Sequence, residues 1–280
     1  MIPFLLFSVS ASVTLSGCTN YVTKQLLPTK AHINAFNLLM YAVCVLGFLI
    51  MLLTGSVSWF TVALGLLYGI VTDLCSYYKL RALSTGPMHI TTLFTTASLI
   101  IPTVAGVFFG ETLSLPKMLF VGALLFFLYL SFEKKEGGKI SWKWLAFTFL
   151  CFLFRGSVGI LQKIHQTSIH KNEVGGLLFV SFCCACLFSL IRNKGVKASL
   201  LSKKAIGIAL LCGVCTFIPN LINLRLAGML PSQLFFPLVD GSVIIFSMLM
   251  SFIIFKEKLT KRQAVGLAGG IACLFGICLI

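Results

Sequence analysis

Charged residues are scarce in this chain of 280 amino acids. Only 10% of the residues are Asp, Glu, Lys or Arg, while 58% are hydrophobic, whereas charged residues make up about 25% of a typical soluble domain. This composition excludes a soluble globular protein. Apolar stretches of about 20 residues, the length that crosses a bilayer as a helix, recur along the whole sequence and leave no stretch for a soluble domain.

Residues that carry catalysis are also few, with seven Asp and Glu and four His in the chain. No pairing of a nucleophile with a base, glycine-rich phosphate loop or metal-ligand spacing is present. We therefore expect no bound cofactor or metal ion, and not an enzyme. An intramembrane enzyme is the least favoured alternative, because His32, His165 and His170 fall near the predicted membrane surfaces.

Basic residues outnumber acidic ones and give a net charge of +15. Nucleic-acid binding would require these bases to form a continuous basic face. They lie instead in short loops between apolar segments, which is typical of the rim of a membrane protein. The expected partner is the lipid bilayer, with no nucleic acid.

The eleven cysteines are scattered within apolar segments such as Phe182–Cys186, where cysteine behaves as a small hydrophobic residue. Cys212 and Cys215 form a CxxC, but it falls inside a predicted membrane helix without a second pair or a nearby histidine. We expect neither a metal nor a redox role for this CxxC.

The N-terminal segment resembles a bacterial lipoprotein signal at Leu15-Ser16-Gly17-Cys18. No Lys or Arg precedes its apolar stretch, although a secretory signal requires one. The segment also has a counterpart later in the chain. We therefore expect it to remain as a membrane helix.

Apolar runs separated by polar and glycine-rich breaks predict ten membrane-spanning helices. The only markedly polar linker, EKKEGGK, begins at Glu133 and divides the chain into 1–132, a linker at 133–141, and 142–280. Five predicted spans lie on each side of it. They are 3–26, 33–54, 58–80, 88–109, 115–132, 142–165, 174–192, 204–226, 232–255 and 261–280.

The two halves contain an internal repeat. A shift of 144 residues aligns seven identical residues within 22 positions, including Arg81 with Arg225 and Pro87 with Pro231. Because each half has five spans, the second half enters the membrane from the opposite side. The sequence thus predicts an all-α membrane protein of two inverted five-helix repeats around a central cavity, an architecture typical of secondary transporters.

Two pairs of segments carry a resemblance to a known family. FFGETLSLPKMLFVGALLFF (108–127) and IFKEKLTKRQAVGLAGGIACLFGICLI (254–280) resemble the junctions before the last helix of each half in the EamA-like family of drug/metabolite transporters. YYKLRALSTGP (77–87) and NLRLAGMLP (223–231) are similar to the ends of that family's third and eighth helices. The resemblance implies a ten-helix carrier whose cavity is lined by spans 1, 3, 4, 6, 8 and 9.

Three charged residues fall inside predicted spans, namely Asp73, Arg155 and Asp240. A charge at the centre of a membrane helix costs about 2.5–3.5 kcal/mol on insertion scales, so it usually faces a cavity or a partner. One hypothesis is that an aspartate pairs with Arg155 and binds substrate or exchanges a proton. The alternative is an ion pair that only fixes helix packing.

Polar residues at helical spacing predict a wet face along several spans. Ser and Thr there also serve helix packing, whereas the amides favour cavity contact. Lys24 and Lys163 occupy equivalent places in the repeats, where they guard the cavity mouths or reach the interface. The further candidates for substrate binding or proton coupling are Asn20, His89, Thr95, Asn220, Asn223 and Gln233.

The loops on one side of the predicted spans carry 17 Lys and Arg residues, against four on the other. The positive-inside rule then places both termini outside the cytoplasm, in a multi-pass plasma (inner) membrane protein. The predicted function is a secondary transporter for a small polar solute, monomeric or homodimeric, with proton coupling left open. Both charge signs in the cavity suit a zwitterion such as an amino acid. A flippase for a lipid-linked intermediate is the alternative.

Overall fold

A computed structural model describes most of the chain, and over this part the protein is helical without strands. The prediction of an all-α fold is confirmed there. Helices satisfy their backbone hydrogen bonds internally, which the bilayer requires because it offers no water. The described residues are 2–25, 30–53, 55–85, 91, 94–95, 97–112, 114–131, 141–192, 201–255 and 260–279.

The described residues form ten α-helices of the bounds given next, together with a short 3-10 helix (Gly106–Phe109) that follows the fourth of them. The α-helices are α1 (Ile2–Gln25), α2 (Lys30–Leu53), α3 (Trp59–Thr85), α4 (Ile100–Ala105), α5 (Leu115–Ser131), α6 (Trp142–Thr167), α7 (Val174–Arg192), α8 (Lys203–Met229), α9 (Ser232–Phe255) and α10 (Lys261–Leu279).

Six helices in the described part are long and apolar enough to cross a membrane. These segments are Ala35–Leu53, Trp59–Lys79, Trp142–Thr167, Val174–Ile191, Lys203–Met229 and Lys261–Leu279. Shorter apolar segments lie in α1, α4 to α5 and α9. Large apolar side chains are exposed along the helices, including Trp59 at 88% and Trp142 at 86%. Tryptophans at helix ends are typical of the membrane interface, and the chain is a multi-pass membrane protein.

The chain packs as two compact units, and each unit takes helices from both predicted repeats. Unit 1 comprises Met1–Asp73 and His165–Leu226, and unit 2 comprises Leu74–Ile164 and Ala227–Ile280. Unit 1 therefore contains α1, α2, α7 and most of α3 and α8. Unit 2 contains α4, α5, α9, α10 and nearly all of α6. The sequence boundary between the repeats is thus not the boundary between the packed units.

Unit 1 is held by aromatic contacts and by close approach of helix backbones. Phe48 of α2 is fully buried and contacts Phe182 of α7 and Phe217 of α8, with ring centroids 5.4 and 4.6 Å apart. Gly65 and Gly69 of α3 lie so close to α7 that a Cβ at either position would collide with it. Small residues four apart allow this close packing in membranes.

Unit 2 has an aliphatic core between α5, α9 and α10. Leu124 and Leu128 of α5 pack with Ile245 of α9 and with Leu274 and Ile277 of α10, all of them buried. Of the three helices that form this core, α5 precedes the linker in sequence, whereas α9 and α10 follow it. The core therefore joins a helix that precedes the linker to the last two helices of the chain.

Candidate functional site

An ion pair lies in the middle of two apolar helices of unit 2. Nη2 of Arg155, at the centre of α6, donates to Oδ1 of Asp240 in α9 at 3.1 Å. The Arg155 side chain is 48% exposed and the Asp240 side chain 31% exposed. An aspartate thus pairs with Arg155, and both side chains of the pair are partly exposed.

Glycines fix the two helices that carry this pair. Gly156, next to Arg155, leaves no room for a Cβ against Ile101 of α4. At Gly241, next to Asp240, the contact is less severe: an added Cβ would lie 3.0–3.1 Å from methyl groups of Leu124 and of Leu274 in α10. Each charged residue thus has a glycine neighbour in close contact with another helix, and this packing positions the backbone that carries each charge.

A half-exposed guanidinium beside a carboxylate can bind ligands of either charge. Arginine forms strong, directional hydrogen bonds with a carboxylate. The aspartate can accept from an ammonium group or take up a proton. Electrostatic attraction is stronger in an apolar surrounding than in water, so this pair has the chemistry to hold a zwitterion.

Lys163, predicted at a cavity mouth, is buried near the end of α6 with only 6% of its surface exposed. Its Nζ lies 2.5 Å from Oε1 of Glu111 and donates at 3.0 Å to the carbonyls of Ala227 and Leu230. The last carbonyls of a helix have no partner within it. Lys163 therefore caps the C-terminal end of α8 and links it to Glu111.

Glu111 also holds the start of α9. Its Oε2 accepts the backbone N–H of Ser232 at 2.7 Å, and its Oε1 accepts the Ser232 hydroxyl at 3.2 Å. The next residue, Gln233, is buried and bonds the Thr112 carbonyl and the Ser114 N–H through its amide. Gln233, predicted as a substrate residue, thus joins α9 to the segment before α5.

The two asparagines of α8 bond within unit 1. The Oδ1 of Asn223 accepts the Ser8 hydroxyl of α1 at 2.6 Å. The amide of Asn220 donates to the Thr216 carbonyl one turn earlier in its own helix, at 2.8 Å. Asn223 is therefore part of a polar contact between α1 and α8, and Asn220 is bonded to its own helix.

The remaining predicted residues are distributed between the units. Asp73 is buried in α3, with 4% of its surface exposed, and is the last residue of the first segment of unit 1. Thr95 lies in a helical stretch of unit 2, and its carbonyl accepts the Ser98 hydroxyl at 2.6 Å. The side chains of Asn20 and Lys24, and the whole of His89, fall outside the described residues.

A polar cluster that the sequence did not predict lies at the start of α3. The Oε2 of Glu173 accepts the backbone N–H and the hydroxyl of Ser58, each at 2.8 Å, and the hydroxyl of Thr61. Its other oxygen lies 3.1 Å from Nδ1 of His170, whose ring stacks on Phe60 at 5.6 Å. Glu173 thus ties the connection between α6 and α7 to the first turn of α3.

The surroundings of Glu173 also shift its acidity. Burial alone would raise the pKa of this carboxyl, but hydrogen bonds from Thr61, from Ser58 and from His170 lower the pKa to about 2. Glu173 precedes α7 and lies outside the membrane-spanning segments. It is therefore ionised throughout the physiological range. The scarcity of acids in the sequence and the Ser-x-x-Thr before an apolar run were the signals that could have identified this cluster.

The described residues contain no group of three or more His, Cys, Asp or Glu side chains arranged to hold a metal ion. Cysteines of this part are free thiols, and Cys212 and Cys215 are both buried in α8.

Comparison with known proteins shows a fold but no family. No protein-family model matches the chain, and no curated protein matches it, whereas 29 chains of solved structures do. One of these, described only as "Crystal structure of protein", has a TM-score of 0.77 and 13% sequence identity over 99% of this chain and 95% of its own. At this identity the likeness shows that the two chains share a fold.

Proposed function

We propose that this chain is a secondary transporter that moves a small polar metabolite, of amino-acid type, across a membrane by alternating access. The observation that carries the proposal is the ion pair between Arg155 and Asp240, half-exposed in the middle of two apolar helices. An ion pair needed only for packing would be expected to be enclosed between its helices, whereas both of these side chains are partly exposed.

The internal repeat supports the same proposal. Two inverted repeats of five spans, ten in all, place equivalent helices on opposite sides of a central site, which is how many secondary transporters alternate access. The EamA-like resemblance of the segments 108–127 and 254–280 agrees with such a carrier. The charge distribution of the loops supports both termini lying outside the cytoplasm.

In this mechanism the substrate replaces the internal ion pair. Its carboxylate would bind the guanidinium of Arg155, and its ammonium group would bind the carboxylate of Asp240. A substrate that binds through both groups keeps every charge paired while the site closes to one side of the membrane and opens to the other. A singly charged solute would leave one charge of the pair without a partner, and a neutral solute would leave both, so the pair favours a zwitterion.

The test is uptake of labelled amino acids and other small metabolites by proteoliposomes, with and without a pH gradient. Wild type is compared with Asp240→Asn and Arg155→Gln, and with Arg262→Gln, which makes the same change at an arginine beside Tyr129. We expect saturable uptake in wild type and in Arg262→Gln, and loss of uptake in the two site variants. A response to the pH gradient would add proton coupling.

A charge exchange separates substrate binding from packing. The double variant Arg155→Asp with Asp240→Arg keeps an ion pair between α6 and α9 but reverses the place of each charge. We expect it to fold and to lose or reverse its substrate preference. Unchanged transport in this variant would reduce the pair to a packing contact. Failure of wild type to move any soluble compound would favour the lipid flippase.

A further inference from the structure

A pair of thiols joins α3 to α6 within unit 2. The Sγ atoms of Cys75 and Cys151 lie 4.0 Å apart. Each sulfur also lies near the carbonyl oxygen of the other residue, with Cys151 Sγ 3.6 Å from the Cys75 oxygen and Cys75 Sγ 4.0 Å from the Cys151 oxygen. Because each side chain reaches the other backbone, the two helices pass close to one another at this point.

Aromatic contacts hold the same two helix faces together. The Tyr78 ring stacks on Phe154 with centroids 5.7 Å apart and planes 9° apart, and it lies 6.1 Å from Phe147. Residues three and four apart share one face of a helix, so Tyr78 stands beside Cys75 on α3, while Phe147 and Phe154 flank Cys151 on α6. The thiols are therefore kept facing one another by the packing around them.

The two sulfurs need to approach by about 2 Å to reach the length of a disulfide bond. Rotation of the two cysteine side chains about their Cα–Cβ bonds can supply a movement of this size. Cys75 is partly exposed, whereas Cys151 is fully buried. A reagent can therefore meet Cys75 first, and Cys151 is placed to react second.

We propose that Cys75 and Cys151 are a redox modification site that takes a small uncharged disulfide and becomes an intramolecular disulfide. The thiolate of Cys75 attacks one sulfur of the reagent, which forms a mixed disulfide and releases one thiol. The thiolate of Cys151 then attacks the Cys75 sulfur and releases the second thiol. The two cysteines are oxidised, the reagent is reduced to two thiols, and these take up the two protons.

The bond would act on the proposed transport site, and this part of the inference rests on the proposed function. Cys151 lies one helical turn before Arg155 on the same face of α6. A covalent bond at Cys151 fixes α6 to α3 next to the ion pair. A carrier that must move α6 to change access would then stop, and reduction would release it.

The covalent step is tested on the full chain, reconstituted in liposomes, with a protease site inserted in the linker at 133–139. After treatment with 4,4′-dithiodipyridine the protein is denatured, cut at the linker and run on a gel without reductant. Cys75 and Cys151 lie on opposite sides of the cut, so we expect the fragments to stay joined in wild type and in the control Cys44→Ser. They should separate in Cys75→Ser and Cys151→Ser. Separated wild-type fragments, or joined fragments in Cys75→Ser, would overturn the site.

Transport is measured on the same liposomes before oxidation, after oxidation and after reduction with dithiothreitol. We expect loss of uptake on oxidation and recovery on reduction in wild type, and no effect in Cys151→Ser. Joined fragments with unchanged uptake would overturn the control of transport by this bond. Absence of uptake in the reduced wild type would instead count against the proposed function, while the gel would still decide the thiol pair.

Discussion

The buried Lys163 offers a stability prediction that does not depend on transport. Lys163→Met removes the ammonium group that serves Glu111 and the carbonyls of Ala227 and Leu230. Removing one member of a buried ion pair costs about 3–5 kcal/mol, because the other charge stays buried without a partner. For a chain of this size each kcal/mol lowers Tm by roughly 2–4 °C. We therefore expect Tm to fall by roughly 6–20 °C.

Unfolding can be followed in detergent with a dye that fluoresces when it reacts with newly exposed thiols. The chain suits this assay because many of its eleven cysteines are buried. The matched control is Lys143→Met, which makes the same change at an exposed lysine at the other end of α6. We expect this control to keep the wild-type Tm within about 2 °C, since exposed charges contribute little to stability.

A second substitution tests whether the unpaired charge of Glu111 causes the loss of stability. Adding Glu111→Gln to Lys163→Met removes the carboxylate that the first change left unpaired, and the glutamine oxygen can still accept from Ser232. We expect the double variant to recover part of the lost Tm. If Lys163→Met behaved like Lys143→Met, or if Glu111→Gln lowered Tm further by its full single effect, the pair would contribute no coupling energy to folding.

Three further predictions concern pH, packing and topology. The depressed pKa of Glu173 stabilises the folded state above the ordinary value of 4.5, so Glu173→Gln should lower Tm at pH 7, and its difference from wild type should shrink as the pH falls from 4.5 toward 2. Gly156→Val places side-chain atoms onto Ile101 and should reduce the yield of folded protein in size-exclusion chromatography, whereas Gly122→Ala, which meets only open space, should be tolerated. A reporter enzyme active only outside the cytoplasm should be active when fused to the C-terminus, and a cytoplasmic result would reverse the charge-based orientation.

Several helices could be predicted from the sequence because bilayer length and polar breaks limit where they can begin and end. The spans predicted at 115–132, 174–192 and 232–255 correspond to α5, α7 and α9 within one residue at each end. The pattern of apolar residues within one segment gives no information about the distant helix it packs against. The sequence therefore could not predict that each packed unit takes helices from both sides of the linker.

The candidate site was predicted in part. Arg155 and Asp240 could be singled out because a charge within an apolar helix is costly wherever it stands. Lys163 and Gln233 are also polar residues within predicted apolar spans, but they bond backbone groups at helix ends. Sequence alone does not distinguish a residue that binds substrate from one that bonds a helix end. The contact between Cys75 and Cys151 depends on the angle at which α3 crosses α6, to which a scattered set of apolar cysteines gives no clue.

Each packed unit is built from two separate segments of the chain, and this has a consequence for synthesis of the protein. The first segment of unit 1 ends at Asp73, but its second segment is complete only at Leu226, 153 residues later. At about 5–20 residues per second, the first helices wait roughly 8–30 s for their packing partners to leave the ribosome. A chain that stopped at the linker would hold parts of both units and complete neither. The N-terminal helices must therefore remain in the lipid without part of their final packing partners until the second half of the chain has been made.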